Sequence, residues 1–183
     1  GINLEPHKIT AKYAGITDEE MFTDLFQQFK IQTAADVPIK EKWDIMKNIA
    51  IGNISAIPGA ISLIELLKTT GFKLGIASSS PLNFIEFVIS ELKIKEKFDA
   101  ITSAEEVEQG KPHPSIFILA AQKLDTSPKE CIVIEDGKSG MIAAKKAGMK
   151  CIGLVNENNI DRNEWPADII VKNLKELKLE DFK

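Results

Sequence analysis

The chain has 183 residues, 44% of them hydrophobic and 27% charged, a composition typical of a globular domain with one core and room for a small second domain. Its formal net charge of −4 gives no basic footprint, so a nucleic acid partner is not expected. No apolar run approaches the roughly 18 residues of a membrane span, and the N-terminus lacks the apolar centre of a secretory signal. We therefore expect a cytoplasmic monomer with no membrane partner.

The cysteines and histidines are not expected to carry chemistry. Cys131 and Cys151 each open an apolar, strand-like run, which is typical of buried, reduced thiols in a cytosolic protein. Neither lies in a cluster with metal-ligand spacing, so a disulfide or a metal role for the pair is disfavoured. His113 lies between two prolines and His7 precedes the first confident helical pattern, so we interpret both as incidental.

The early part of the chain has the pattern of helices. Thr17 followed by Glu20 forms a capping box, and apolar residues then recur at helical spacing through Phe29. A second amphipathic helix is predicted from Val37 to Ile51, and the glycine- and proline-containing stretch "IGNISAIPG" follows it. We predict a helical cap over residues 1–52, a hinge over residues 53–57 and an α/β core over residues 58–183.

From residue 58 onward, short apolar runs alternate with helical patterns. Helices are predicted near residues 58–70, 81–92, 114–124 and 138–147, and strands at "KLGIASSS", "FDAIT", "CIVIE" and "KCIGLV". A last strand, "ADIIV", and a last helix, "NLKELKLEDF", close the chain. This alternation predicts an α/β fold of right-handed βαβ units around a parallel sheet.

Polar residues collect where three of the predicted crossovers leave their strands. They are Ser78, Ser79 and Ser80 after "LGIA", Lys111 in "GKPHP", and Glu135 and Asp136 after "CIVI". Because ligands of open parallel sheets bind outside the carboxyl ends of the strands, these groups are predicted to meet at one edge. Hydroxyls, N–H groups and an ammonium suit a phosphate, and paired carboxylates suit Mg²⁺. Each feature alone is commonly a loop, a surface lysine or a solvated turn, so only their conjunction favours a site.

These segments resemble the motifs of the haloacid dehalogenase superfamily, in the branch of β-phosphoglucomutase and its phosphatase relatives. "GIASSS" resembles the second motif, in which Ser78 contacts the phosphoryl group, and "GKPHPSIF" resembles the third, in which Lys111 balances charge. "VIEDGKSGMIAAKKAGM" resembles the fourth, in which Glu135 and Asp136 help to hold Mg²⁺, although Gly137 stands where the family often has serine. "AGITDEEMF" resembles the substrate loop of a helical cap, and "IPGAISLIELLK" resembles the return to a Rossmann-like core.

The first motif of that family, Asp-x-Asp-Gly at the end of the first core strand, has no counterpart in the chain. The resemblance implies that its aspartates are the nucleophile and the general acid/base, and that its strand lies between those ending at Ser78 and Glu135. Asp18, Asp24 and Asp36 lie in cap contexts instead. We therefore expect that the native protein has a further segment, and that the 183 residues alone have an open slot and no catalytic turnover.

For the complete protein, the resemblance implies Mg²⁺-dependent phosphoryl transfer through an aspartyl-phosphate. Its substrate would be a small phosphorylated metabolite such as a sugar phosphate. Lys111, Ser78 and the backbone of Ser79 would stabilise the phosphoryl oxygens, with Ser80 in the same loop. A phosphatase would release phosphate to water, whereas a mutase would pass it to a second sugar hydroxyl or phosphate.

The cap favours a phosphatase over a mutase. A sugar-phosphate mutase holds a second phosphate with positive charge on its cap, and it has an arginine where "GITDEE" offers Asp18 and Glu19. Lys42 stands where the mutase has a cap lysine, so Lys42 is also a candidate substrate contact. The mutase therefore stays open as the alternative.

Two other classes also stay open. A dehalogenase would share the fold and the lysine but has no use for a metal, so Glu135 and Asp136 count against it. A non-catalytic binding or interaction domain is the alternative if the chain truly begins at Gly1, and the retained carboxylates count mildly against that interpretation.

Overall fold

The computed structural model describes most of the chain. It covers residues 16–155 and 165–182, together with isolated positions near the start, which are Glu5, Ile9, Lys12 and Tyr13. His7, for which no role is predicted, lies outside these residues. Over the described ranges, no helix combines the length and the apolar character that crossing a bilayer requires.

Two helices among the described residues lie in the region predicted to be the cap. Helix α1 spans Asp18–Phe29 and helix α2 spans Asp36–Ala50. The predicted capping box is present, because Thr17 accepts the Glu20 N–H through its side chain and the Glu20 carboxylate accepts the Thr17 N–H at 3.0 Å. Residues 51–59 then form turns and backbone without regular secondary structure up to the next helix. The division into a cap, a hinge and a core stays a prediction.

The following region alternates helices and strands as expected. Its elements are α3 (Ala60–Thr69), β1 (Gly75–Ser78), α4 (Leu82–Glu91), β2 (Ala100–Ser103), α5 (Ser115–Lys123), β3 (Ile132–Glu135), α6 (Lys138–Lys146), β4 (Lys150–Leu154) and β5 (Ile169–Val171).

The strands form two parallel sheets. Strand β1 pairs with β2, with Ser78 opposite Ser103, and β3 pairs with β4, which pairs in turn with β5. Among the described residues, no strand lies between β1 and β3, so each of these strands has one unpaired edge. The α/β class with parallel strands is confirmed, as is the open slot beside β1 and β3 in this part of the chain.

A central groove of about 540 Å³ occupies that slot. Its walls are mainly apolar: Ala77 of β1 and Val133 and Ile134 of β3 line it, with residues of α3 and α5. Ile134 is 37% exposed, although a strand covered on both faces would bury such a side chain. The groove is therefore bordered by the unpaired backbone edges of β1 and β3 and has apolar walls, which suits an extended segment.

The core lies on both faces of the three-stranded sheet. One apolar cluster joins α5 and α6 to the sheet and contains Cys151, and the other joins α3 and the C-terminal residues to it and contains Ile152. Both side chains are almost fully buried, at 0% and 1% exposure. Since neighbouring residues of a strand face opposite sides, β4 contributes to both clusters and the layers are helix, sheet and helix.

The last helix is the one predicted element that is wrong. "NLKELKLEDF" forms two short 3₁₀ turns, Leu174–Glu176 and Leu179–Phe182, with the extended residue Leu177 between them. The apolar side chains recur at spacings of three, two and three residues, which an α-helix would spread around its circumference. The broken backbone instead buries Leu174, Leu177 and Phe182.

Candidate active site

Lys111 lies where the two sheets end. Its ammonium donates to Glu135 Oε2 at 2.7 Å, at the carboxyl end of β3, and to the carbonyl of Ala77 at 3.4 Å, near the carboxyl end of β1. The ring of Phe117 lies 4.9 Å from the same nitrogen, centroid to atom. Only 8% of Lys111 is exposed, so these contacts compensate a nearly buried cation.

Glu135 is held in place from both sides of its carboxylate. Oε2 receives Lys111, and Oε1 accepts the backbone N–H groups of Asp136 and Gly137, each at 3.1 Å. The side chain lies against Gly140 of α6, where any Cβ would overlap the carboxylate. Burial raises the pKa of Glu135, but the charge and hydrogen bond of Lys111 outweigh it. The hydrogen bond from the Gly137 N–H also lowers the pKa of Glu135, which therefore lies below its ordinary value.

The pKa of Asp136 is shifted in the opposite direction, above its ordinary value. Burial raises the pKa of Asp136, and the hydrogen bond and negative charge of neighbouring Glu135 raise it further. Among the residues that the structure describes, no three His, Cys, Asp or Glu side chains are grouped to hold a metal. Mg²⁺ is commonly held by one or two carboxylates with phosphate oxygens and water, so the two adjacent carboxylates fit part of such a site.

The serine loop, Ser78 to Ser80, begins at the last residue of β1 and is braced by β2. Ser78 Oγ accepts the N–H of Ser80 at 3.1 Å, and the carbonyl of Ser80 accepts the hydroxyl of Ser103 at 2.8 Å. Ser79 lies between them and is partly exposed, like both of its neighbours. The Leu82 N–H at the start of α4 donates to Glu105 Oε2 at 2.8 Å. The loop is thereby fixed at the same edge of the sheets as Lys111.

The region predicted to be the cap contacts the residue before Lys111 and the helix that follows the serine loop. Thr17 packs against Gly110, the residue before Lys111, so closely that a Cβ at Gly110 would lie 2.5 Å from Thr17 Cγ2. Trp43 of α2 packs against Phe84 of α4, with ring centroids 4.8 Å apart. These contacts join the predicted cap to the loop of Lys111 and to α4.

The partners of Lys42 are Asp18 and Trp43, which also lie in the region predicted to be the cap. Its ammonium forms an ion pair with Asp18 and lies 4.5 Å from the ring centroid of Trp43. The other carboxylate oxygen of Asp18 accepts the Trp43 indole N–H at 2.5 Å. The structure therefore brings Lys111, Glu135 and the serine loop together, and it places Lys42 in a separate cluster on the cap.

A family comparison agrees with this geometry. The model of the haloacid dehalogenase-like hydrolases matches residues 3–154, which include the serine loop, Lys111 and both carboxylates. The chain belongs to the haloacid dehalogenase-like hydrolase family. The assignment made from the motifs is confirmed.

Curated members of the family include phosphatases and a mutase. Hexitol phosphatase B of Escherichia coli (strain K12) is 36% identical over 127 residues, which are 69% of this chain and 57% of that protein. Beta-phosphoglucomutase of Bacillus subtilis (strain 168) is 36% identical over 124 residues, 68% of this chain and 52% of that protein. The chain thus spans only about half the length of these relatives.

Solved structures of the family have the same fold. The crystal structure of beta-phosphoglucomutase from Clostridium difficile superposes with a TM-score of 0.85 at 29% identity, covering 99% of this chain and 81% of that one. The phosphatase-like and mutase-like branch predicted from the motifs is therefore confirmed.

The structure adds supporting residues that the family motifs did not identify. Ser103 and Glu105 brace the serine loop, Phe117 lies beside the ammonium of Lys111, and Gly140 makes room for Glu135. The sequence holds a signal for Ser103 but not for Glu105, because "SAEE" after the strand "FDAIT" is a capping box formed by Ser103 and Glu106. The other two contacts join residues only six and five positions apart, but no recognised local motif predicts either of them.

Proposed function

We propose that the complete protein is a Mg²⁺-dependent phosphatase that acts on a small phosphorylated metabolite such as a sugar phosphate. The observation that best supports this is the buried ammonium of Lys111, held between the ends of β1 and β3 by Ala77 and Glu135. A fixed cation at this edge is suited to the charged oxygens of a phosphoryl group. The relationship to hexitol phosphatase B gives the same reaction class.

The residues of the serine loop and Lys111 have complementary roles in this proposal. The Ser78 hydroxyl and the N–H groups of Ser79 and Ser80 bind phosphoryl oxygens, while Lys111 neutralises the charge that develops on them. Mg²⁺, held by Asp136 and Glu135 with phosphate oxygens, would neutralise charge and orient the phosphoryl group when bound. The ion pair between Lys111 and Glu135 keeps the ammonium in position before substrate binds.

The nucleophile is proposed to be an aspartate on an extended segment that fills the central groove. The free edges of β1 and β3 offer hydrogen bonds on both sides, and a parallel segment would end beside Lys111. The aspartate carboxylate attacks phosphorus, and the alcohol leaves with a proton from a second aspartate. Water then cleaves the acyl phosphate and releases inorganic phosphate.

Phosphate release in the presence and absence of such a segment tests the proposal. The probe is a designed peptide with an apolar strand followed by Asp-x-Asp-Gly, mixed with the 183-residue chain, Mg²⁺ and a panel of sugar and hexitol phosphates. We expect release only when the peptide is bound and Mg²⁺ is present. Replacing the first peptide aspartate by asparagine, or Lys111→Met, should lower release by about a thousandfold or more.

Three results would contradict this proposal. Turnover by the chain alone would exclude the external nucleophile, and turnover undiminished by chelation of Mg²⁺ would exclude the metal. A tightly bound peptide without any release would exclude phosphoryl transfer and favour a non-catalytic binding domain.

A sugar-phosphate mutase is the second candidate. The 29% identity to a beta-phosphoglucomutase and the superposition over 99% of this chain and 81% of that one favour it. Pairing of Lys42 with Asp18 counts against it, because a second phosphate needs positive charge on the cap. Product analysis separates the two activities, since a mutase yields an isomeric sugar phosphate and a phosphatase yields inorganic phosphate.

A further inference from the structure

Two residues at the end of β2 hold the serine loop at two separate points. The hydroxyl of Ser103 donates to the carbonyl of Ser80 at 2.8 Å, and the carboxylate of Glu105 accepts the N–H of Leu82 at 2.8 Å. Ser103 is fully buried, and its oxygen also accepts the Glu105 N–H at 3.2 Å. We call Ser103 and Glu105 the β2 platform. A buried hydroxyl that donates and accepts at the same time has little freedom to rotate, so it fixes its acceptor as well.

The backbone of Ser80 links the β2 platform to Ser78. The Ser80 carbonyl accepts the Ser103 hydroxyl, and the Ser80 N–H donates to Ser78 Oγ at 3.1 Å. Because this N–H occupies one lone pair of Ser78 Oγ, the hydroxyl hydrogen of Ser78 points away from it and can donate to a phosphoryl oxygen. A change at Ser103 should therefore reach the Ser78 hydroxyl through a single intervening residue.

The β2 platform is also tied to the helix that follows Lys111. The Ser103 N–H donates to Glu106 Oε1 at 2.9 Å, and Glu106 Oε2 accepts the Lys123 ammonium at 2.5 Å. Lys123 belongs to α5, and Phe117 of the same helix lies beside the Lys111 ammonium. The contacts around the end of β2 thus relate the serine loop to the position of Lys111.

Thr102, the neighbour of Ser103 in β2, provides a contrast. It is also fully buried, but its Oγ1 has no hydrogen-bond partner among the described residues. Neighbouring residues of a strand face opposite sides, so the two hydroxyls point away from each other. Of these two buried hydroxyls, the one that contacts the serine loop is the one that is hydrogen-bonded.

We propose that Ser103 and Glu105 are positioning residues of the phosphate site, which hold the serine loop in the conformation in which Ser78 meets a phosphoryl oxygen. This inference rests on the proposed function, whose phosphate site it extends to the residues of a second strand. Neither residue is assigned a contact with the substrate. They act by ordering the loop before phosphate arrives, because a preorganised loop loses less conformational freedom on binding.

Phosphate binding by matched variants tests this role without turnover. NMR titration of the ¹⁵N-labelled 183-residue chain with inorganic phosphate and Mg²⁺ gives the dissociation constant, and the same samples give the rate at which the Ser80 amide exchanges with water. We expect Ser103→Ala to weaken phosphate binding about tenfold and to speed exchange at Ser80, because the Ser80 carbonyl loses its buried donor. Thr102→Val removes the neighbouring buried hydroxyl without removing a hydrogen bond, so both quantities should stay at their wild-type values.

Two substitutions of Glu105 separate its hydrogen bond from its charge. Glu105→Gln keeps an acceptor for the Leu82 N–H, whereas Glu105→Ala removes it. Loss of a negative charge by itself favours phosphate binding, so we expect wild-type or tighter binding in Glu105→Gln and binding weakened about threefold or more in Glu105→Ala. Glu105 is exposed, so both proteins should fold, and this pair tests the proposal even where Ser103→Ala does not fold.

Three results would overturn the positioning role. Faster Ser80 exchange with unchanged phosphate affinity in Ser103→Ala would show that the hydrogen bond stabilises the fold alone. Equal losses of affinity in Ser103→Ala and Thr102→Val would show a general effect of the buried strand. Tighter binding in Glu105→Ala would show that Glu105 acts through its charge.

Failure of this inference is distinguishable from failure of the proposed function. The expected changes in phosphate affinity, without phosphate release in the peptide assay, would support the β2 platform and contradict a phosphatase. Phosphate release together with wild-type affinity in Ser103→Ala and Glu105→Ala would support a phosphatase and contradict the positioning role. If the wild-type chain binds no phosphate, both are contradicted.

Discussion

Gly140 gives the Glu135 carboxylate the space in which it meets Lys111. Because a Cβ there would overlap the carboxylate, Gly140→Ala should displace Glu135 and weaken its ion pair with Lys111. We expect the free energy of unfolding to fall by about 2–3 kcal/mol, although alanine is the better helix former. Urea denaturation followed by circular dichroism measures this difference.

Gly137→Ala is the matched control for Gly140→Ala. A Cβ at Gly137 would lie 3.4 Å from Glu135 Oε1, which is ordinary contact, so this variant should lose no more than about 1 kcal/mol. Equal losses in the two variants would show that the overlap with Glu135 is not what matters.

The two thiols should differ in reactivity. Both are free, and Cys151 is fully buried, which raises the pKa of its thiol to about 11. Burial and then the charge of Glu130 also raise the pKa of Cys131, but this residue is partly exposed. At pH 8 iodoacetamide should alkylate Cys131 slowly and Cys151 only after unfolding, because the thiolate is the reactive form.

Peptide mapping by mass spectrometry, before and after urea unfolding, checks the thiol prediction. Alkylation of native Cys151 at the rate of a free cysteine would contradict its burial. Slow labelling of both thiols would indicate that the native fold shields both of them.

At the scale of the secondary-structure elements, the Asp168 side chain contacts both the end of α6 and the start of β4. Its carboxylate accepts the Lys145 ammonium at 2.6 and 2.7 Å and the Cys151 N–H at 2.8 Å. The hydrogen bond from Lys145, followed by that from Cys151, lowers the pKa of Asp168. A group whose pKa is lowered by folding adds stability above its unfolded pKa and loses it as the pH falls through the folded value.

Asp168→Asn should therefore destabilise the protein at pH 7 by about 1 kcal/mol or less, because the pair is largely exposed. The difference from wild type should shrink as the pH falls below about 4, where the carboxylate of the unfolded chain becomes protonated first, and it should vanish once the folded carboxylate is protonated too. Urea denaturation from pH 3 to pH 7 measures this. A double-mutant cycle with Lys145→Met isolates the ion pair, and a pH-independent difference would contradict it.

Helices and strands with a regular apolar period were predictable from the sequence, because local spacing determines them. Thr17 and Glu20 locate the start of α1, and "CIVIE" and "KCIGLV" locate two paired strands. The C-terminal residues were not predictable in the same way, since Leu177 adopts an extended backbone that lets irregularly spaced side chains reach the core. There, tertiary packing outweighs helix propensity.

The residues of the candidate site also divide into those that the local sequence predicts and those that it does not. Strand ends and loop composition identify the serine loop, Lys111 and Glu135 from sequence. The contact of Asp18 with Lys42, 24 residues apart, depends on how α1 and α2 pack against each other. Such contacts are set by the assembled fold, which no single stretch of sequence contains.

At the scale of the whole molecule, the split sheet predicts uneven protection of backbone amides. Strand β4 is paired on both edges, whereas β1 and β3 each have one edge on the central groove. In hydrogen exchange measured by NMR, amides of Lys150–Leu154 should be the most protected strand amides, and those of Gly75–Ser78 should exchange faster.

Adding the Asp-x-Asp-Gly peptide should slow exchange in β1 and β3 and leave β4 unchanged, because only the two groove edges gain partners. Protection of β1 equal to that of β4 without peptide would contradict the open groove. Slower exchange throughout the protein would indicate general stabilisation instead of strand insertion.

Lys111 offers a spectroscopic reporter for the state of the molecule. Its nitrogen contacts a carbonyl from one sheet and a carboxylate from the other, so its chemical environment depends on the alignment of both. A ¹⁵N label at this single atom would therefore respond to groove filling, to phosphate binding and to loss of alignment, each through a different neighbour. One resonance could then follow assembly and ligand binding in the same sample.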